Sequence, residues 1–176
     1  MMEAMRVRPA RADDVPAMMA IYNEVVANST AIYSFKPSTL DERREWFRAR
    51  TGGGWPVLAA LRGDVLVGYA SFAEFRGAWP GYQHSVEHSV YVHADCRRLG
   101  IGSALVSALL PIAAAMDKHV MIGGIDAANQ GSLRMHERLG FQRVAHFREV
   151  GRKFGRWLDL VFVQRFIDSP GAARAG

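Results

Sequence analysis

Val90-Tyr91-Val92-His93 is followed, after three residues, by Arg97-Arg98-Leu99-Gly100-Ile101-Gly102, and the apolar run Ser103-Ala104-Leu105-Val106 begins directly behind the second glycine. A β-branched and aromatic stretch favours a strand, and an apolar run behind a glycine turn favours a helix start. The segment therefore commits the chain to strand, tight turn and helix in succession, a unit of α/β folds. At the first turn of such a helix the backbone N–H groups lack intrahelical partners and converge, which makes a seat for phosphate. Glycine lets the backbone approach the anion, and the two arginines add positive charge beside it. The R-x-x-G-x-G pattern is not a dinucleotide fingerprint, because Leu105 stands where G-x-G-x-x-G needs its third glycine. No G-x-x-x-x-G-K-[ST] occurs either, so a triphosphate P-loop is not supported. Taken alone, the segment is equally an ordinary glycine-containing strand-to-helix turn.

A second motif follows. Val120-Met121-Ile122 reads as a strand and gives way to a helix from about Asn129, with Leu133, His136 and Leu139 at helical spacing and Gly140 placed to end it. Asn129 and Ser132 turn polar atoms toward the start of that helix. The remaining chain alternates in the same manner. Asp13 or Asp14 caps a helix with Pro16 in its first turn, and Thr39 with Glu42 forms a capping box for a second that Gly52-Gly53-Gly54 ends. Residues 57–61 and 65–75 read as strands joined by the turn Arg62-Gly63-Asp64, and a third strand covers 85–93. The helix of the phosphate seat covers 102–116 with Pro111 inside it, where a kink is expected. Strands near 143–150 and 157–166 complete the order, and 168–176 is expected to be a disordered tail.

The pairing of R-x-x-G-x-G with Asn129-x-x-Ser132-x-x-x-His136-x-x-x-Gly140-Phe141 resembles the acetyl-CoA site of the GNAT superfamily of N-acetyltransferases. Glu87-His88-Ser89-Val90-Tyr91-Val92, Ala20-Ile21-Tyr22-Asn23 and Lys153-Phe154-Gly155-Arg156-Trp157-Leu158-Asp159 are similar to the branch that acetylates phosphinothricin, methionine sulfoximine and related amino acids. The resemblance implies a GNAT fold: a mixed central β-sheet flanked by helices, in a single domain over 5–167. It implies acetyl-CoA as cosubstrate, a small amino acid as acceptor, direct attack in a ternary complex, and a homodimer. Backbone of Val90, Tyr91 and Val92 would run along pantetheine and the thioester carbonyl, where a strand N–H works as an oxyanion donor. Arg97, Arg98, Leu99, Gly100, Ile101, Gly102 and Ser103 would hold the pyrophosphate, with Asn129 and Ser132 near the pantetheine arm. Phe35, Arg76, Tyr82, Gln83 and Glu87 correspond to the amino-acid pocket, with Arg76 as a clamp for the substrate carboxylate. Gln83 stands where the branch often carries arginine, which removes a positive charge and bears on substrate preference.

The chemistry asks for a base. An α-amine with a pKa of roughly 8 is mostly protonated at neutral pH and attacks a thioester only after losing that proton. Glu87 shares a strand face with Ser89 and Tyr91, while Val86, Val90 and Val92 face the other way. The resemblance makes it the general base; a surface carboxylate paired with an arginine is the other reading of the residue pattern. His136 occupies the position where many GNAT proteins have a tyrosine that protonates the leaving thiolate. A packed histidine on a half-apolar helix face is the other reading.

Composition narrows the alternatives. The chain of 176 residues is 49% hydrophobic and 22% charged with a net charge of +5, ordinary for a soluble globular domain. Its arginines are scattered and form no basic run, so neither nucleic acid nor a membrane surface is an expected partner. Cys96 is the single cysteine, which excludes an internal disulfide and a cysteine-based zinc cluster, and fits a reducing cytoplasm. The first six residues show no signal-peptide core, and no window approaches a membrane span. His84-Ser85-Val86-Glu87-His88 matches H-x-x-E-H, but on a strand the two histidines lie on the order of 13 Å apart, too far for one zinc ion. No metal is expected. Acetylation of protein N-termini or polyamines, or a non-catalytic coenzyme A sensor, are the readings that compete with amino-acid acetylation.

Overall fold

The computed structural model describes residues 5–167, so the tail expected over 168–176 lies outside the described residues. Seven strands, β1 (Met5–Pro9), β2 (Val57–Arg62), β3 (Val65–Glu74), β4 (Ser85–Val92), β5 (Val120–Asp126), β6 (Gln142–Lys153) and β7 (Arg156–Phe166), are joined by helices α1 (Val15–Asn28), α2 (Leu40–Gly52), α3 (Ile101–Ala115) and α4 (Gln130–Arg138). The strands form one mixed sheet in the order β1-β2-β3-β4-β5-β7-β6. Only β4 and β5 pair parallel; the other neighbours are antiparallel.

Period-two alternation builds a core on each face of the sheet. Val57, Ala59, Leu61, Leu66 and Tyr69 pack toward α1 and α2, whereas Leu58, Ala60, Val67, Ala70 and Phe72 pack toward α3 and α4. A bulge between Ala60 and Leu61 resets the register on the way. Helix α2 opens on the expected capping box: Thr39 Oγ1 accepts from the Glu42 N–H at 3.2 Å and Glu42 Oε2 accepts from the Thr39 N–H at 2.7 Å. Asp14 takes a different part. Its carboxylate pairs with Arg8 at 2.7 Å and accepts from the Arg11 N–H, so it closes a single turn over Ala12–Asp14 rather than capping α1 with its side chain.

Strand β1 is an addition to the sequence reading. Its five residues alternate exposed or half-covered arginines with small apolar stretches and end at Pro9, which a sheet tolerates at an edge. Helix α3 runs through Pro111 without ending there. Its buried stripe is Ile101, Leu105, Leu109 and Ala113, while Pro111 lies on the exposed side, where the missing backbone bond is cheapest.

Candidate active site

The parallel ladder between β4 and β5 is short. It runs from Ser85 opposite Val120 to His88 opposite Gly123, after which the strands part. On the other side β4 stays paired with β3 as far as Val92 opposite Gly68. Residues 89–92 therefore carry backbone groups on the β5 side without a ladder partner, and a cleft of about 940 Å³ opens in the fork. Val90, Tyr91 and Val92 line it, together with Arg98, Gly100, Ile101, Gly102 and Ser103 of the turn and Asn129 and Ser132 of α4.

The turn has the backbone conformation that such a seat would need. Gly100 adopts φ 79° and Arg98 φ 66°, and α3 begins without a side-chain cap, which leaves the first-turn N–H groups for a ligand. Across the cleft, Asn129 Oδ1 accepts from the Ser132 N–H at 3.1 Å and fixes the start of α4. Arg134, Arg138 and Arg156 also line the cleft, and no acidic side chain does. Such a lining suits a ligand with several phosphates.

Three expectations change in detail. Leu99 is 52% exposed and stands outside the lining. Arg97 is in the lining, but its Nη2 lies 2.7 Å from Glu24 Oε2 on α1, so its charge is already matched. Gly102 packs closely under α4, where a Cβ would stand 3.0 Å from Met135 Sδ and the methionine would have to give way.

Glu87 lies on the opposite face of β4 from the α3–α4 core, beside the point where the fork begins. Its neighbours across β5 are Gly124 and Phe162: a Cβ on Gly124 would meet Phe162 Cε1 at 3.2 Å and Glu87 Oε1 at 3.4 Å. The residue as a whole is exposed, its Oε1 borders the space over Gly124 beside Phe162, and desolvation raises its pKa above the usual carboxylate range. Phe75 packs edge-on against both Tyr82 and Phe162, and Phe147 against Phe162. Arg76 stands over the Tyr82 ring at 5.4 Å from a backbone with φ 54°. Arg76, Tyr82, Phe75 and Phe162 are thus linked through ring contacts, and Glu87 Oε1 borders the same space over Gly124 as the Phe162 ring. Phe35, 73% exposed, joins none of these ring contacts, and Gln83 is fixed through its carbonyl, which accepts from Lys118 Nζ at 2.7 Å.

His136 departs from the proton-donor expectation. It is 1% exposed, on the side of α4 turned to the sheet, with Nε2 2.9 Å from His88 Nε2 and Nδ1 2.8 Å from the Ser132 carbonyl. Neither ring nitrogen faces the cleft, so the packed reading of this histidine is the one the geometry supports. His88 contacts the Ile122 carbonyl through Nδ1 at 2.9 Å, and Phe141 stacks against both rings. Burial without a carboxylate partner lowers both imidazole pKa values. Both Nδ1 atoms face carbonyl oxygens and the two Nε2 atoms face each other, so two neutral rings, with one N–H each, supply two donors for three contacts. His136 Nδ1–H donating to the Ser132 carbonyl and His88 Nδ1–H donating to the Ile122 carbonyl would leave the two Nε2 atoms facing each other at 2.9 Å to share a further proton. Gly123 is tied to the same pair, since a Cβ there would lie 2.6 Å from His88 Cε1.

Sequence reasoning missed the wall opposite β4. Ser29, Thr30 and Ala31 behind α1, with Phe154 and Arg156 of the β6–β7 turn, complete the cleft. Thr30 Oγ1 donates to the buried Asp126 Oδ2, and the Tyr33 hydroxyl donates to the Asp159 carbonyl at 2.9 Å. The repeated small polar residues over 29–34 were the available signal. The two histidines of H-x-x-E-H go separate ways: His84 is exposed and contacts the Asp117 carbonyl at 2.8 Å, while His88 is buried. Among the described residues no group of three or more His, Cys, Asp or Glu side chains is arranged to hold a metal ion, and no helix is long and apolar enough to cross a membrane.

Comparison with known proteins agrees with this geometry. Residues 18–141 match the model of the acetyltransferase (GNAT) family. The chain is 46% identical to the L-amino acid N-acyltransferase MnaT of Escherichia coli over 93% of its length and 95% of that protein. It is 44% identical to an L-methionine sulfoximine/L-methionine sulfone acetyltransferase of Pseudomonas paraeruginosa, over 95% and 97% of the two chains. Among solved structures, a GNAT superfamily phosphinothricin acetyltransferase of Sinorhizobium meliloti in complex with acetyl-CoA superposes with a TM-score of 0.91 at 34% identity, over 96% and 91% of the two chains.

Proposed function

The chain belongs to the GNAT family of acetyltransferases, and from that premise we propose that it acetylates the α-amine of a small free amino acid or analogue, of the methionine sulfoximine or phosphinothricin type, using acetyl-CoA. The observation that carries the reading is Glu87, outside the cleft lining but one ladder pair before β4 and β5 part, with its Oε1 beside Phe162 over Gly124 and its pKa raised.

Bound acetyl-CoA supplies an activated acetyl thioester. Arg98, the first-turn N–H groups of residues 101–103, Arg134 and Arg138 would hold its phosphates, and Asn129 and Ser132 would border its pantetheine arm. Backbone N–H groups of residues 89–92 that face the fork would polarise the acetyl carbonyl. Glu87 takes the proton of the incoming ammonium, directly or through water, and so frees the lone pair that attacks the thioester carbon; the C–S bond then breaks, and the coenzyme leaves as a thiolate that takes its proton from solvent. Desolvation helps here, because a carboxylate with a raised pKa accepts that proton more readily. Arg76 clamps the substrate carboxylate beside Tyr82, and Phe35 and Gln83 border the pocket. One acetyltransferase domain over 5–167, a cytoplasmic location and a homodimer complete the proposal. The edge strand β6 supports the last with exposed Val144 and Val150.

The test is release of the coenzyme thiol across a panel of free amino acids, methionine sulfoximine, phosphinothricin, their amides and short peptides. Free acids are expected to react and amides to react poorly. Arg76→Ala should cost roughly 1.5–3 kcal/mol in kcat/KM for free acids and little for amides. Peptides or amides acetylated as well as free acids would remove both the clamp and the amino-acid reading.

A further inference from the structure

Lys153 ends β6 with its side chain turned inward and 1% exposed. Its ammonium meets three backbone carbonyls: Val26 and Ser29 at 2.7 Å each and Ile32 at 2.8 Å. An ammonium has three N–H donors, and this nest uses each once. The arrangement is costly, since removing a charge from water costs several kcal/mol before compensation. Burial accordingly lowers the lysine's pKa, and the carbonyl end of α1, where Val26 lies, returns part of the cost. An apolar side chain of similar length would fill the same space without desolvating a charge. What the ammonium adds is a grip on particular carbonyls.

Those carbonyls bracket the cleft wall. Ser29, Thr30 and Ala31 line the cleft, and the gripped carbonyls of Ser29 and Ile32 stand on either side of Thr30 and Ala31. The other anchors of this loop, Asp126 on β5 and Asp159 on β7, belong to the same half of the sheet as Lys153. The Tyr33 ring also fills the space at Gly151 on β6, where a Cβ would lie 2.4 Å from it. The loop is thus fastened to β5–β7 and faces residues 90–92 of β4 across the fork.

We propose that Lys153 is a positioning residue that sets the width of the cleft by holding the loop over residues 29–32 against the β6–β7 half of the sheet, and so fixes the wall against which acetyl-CoA lies. The inference rests on the acetyl-CoA reading of the cleft. It predicts that Lys153→Met weakens acetyl-CoA binding at least fivefold by calorimetry at 15 °C and raises the acceptor KM, with kcat falling less than threefold. Lys153→Gln, with two amide donors in place of three, should lie between wild type and Lys153→Met. Val163→Ala, in the core on the other face of the sheet, serves as a stability control: its Tm should fall with acetyl-CoA affinity unchanged. If Lys153→Met fails to fold, Lys153→Gln and Tyr33→Phe carry the test through the same affinity measurement. Wild-type affinity in folded Lys153 variants, or an equal loss in Val163→Ala, would overturn the inference. No acetyl-CoA binding by the wild type would instead overturn the functional reading beneath it.

Discussion

Glu87 shows how one step along a strand separates chemistry from packing. Its neighbours Val86 and His88 are buried against α3 and α4, while Glu87 turns to the opposite face with its Oε1 beside Phe162 over Gly124. Glu87→Gln keeps shape and removes basicity, so kcat near neutral pH should fall by about 10²–10⁴-fold with little change in acetyl-CoA affinity. The sign of the pH dependence follows from the raised pKa. As pH falls through that raised value the carboxylate takes a solvent proton and can no longer accept one from the amine, so wild-type kcat/KM should decline on the acid side. The same limb should be missing from Glu87→Gln. A pH–rate profile of both proteins checks it, and full activity of the variant at pH 7 would reassign Glu87 to structure. At this scale the sequence was legible where a position depends on local alternation, as for the strand face of Glu87. It was opaque where the partner is remote: His136 meets His88 across 48 residues, and Lys153 meets Val26 across 127. Nothing in the neighbourhood of either residue marks such a contact.

Elements were readable in proportion to their punctuation. The capping box at Thr39, the glycine turn at 100–102 and the Asn129 cap each announce a helix through a specific backbone need. Strand β1 has no such mark: it is short, begins and ends at exposed positions, and is held by pairing with β2 rather than by a buried face of its own. The loop over 29–36 likewise reads as filler until its anchors on β5, β6 and β7 are seen. The α3–α4 contact offers a test of an element whose glycine would serve two ends. Gly102→Val places branched carbons where even a Cβ would stand 3.0 Å from Met135 Sδ. Overpacking of this kind costs about 1–3 kcal/mol. The expected outcome is a lower Tm together with loss of the Tm increase that acetyl-CoA gives the wild type. Gly102→Ala should be milder, because a methionine side chain can move. An undiminished acetyl-CoA shift in Gly102→Val would show that the start of α3 is not the phosphate seat.

Across the whole molecule, the sheet is two ladders sharing four residue pairs. Strands β1–β4 form one and β5, β7 and β6 the other, and only Ser85–His88 with Val120–Gly123 joins them. The antiparallel ladders inside each half are longer, with seven pairs between β3 and β4 and seven between β5 and β7. Backbone amide exchange should reflect this, because unpaired N–H groups at a strand end open with little free energy. Saturating acetyl-CoA is expected to slow exchange at least tenfold over residues 89–92 and the first turns of α3 and α4, leaving β1 and β2 unchanged. Uniform slowing over the chain would mean global stabilisation and no local bridging. The parting of β4 from β5 also has a mechanical meaning. It is the line along which the sheet would tear under load, and a reactant lodged there works as a splint between the two halves. On the proposed binding mode each turnover withdraws the splint and inserts another, which would make the protein most pliant in the interval between releasing one coenzyme and taking up the next.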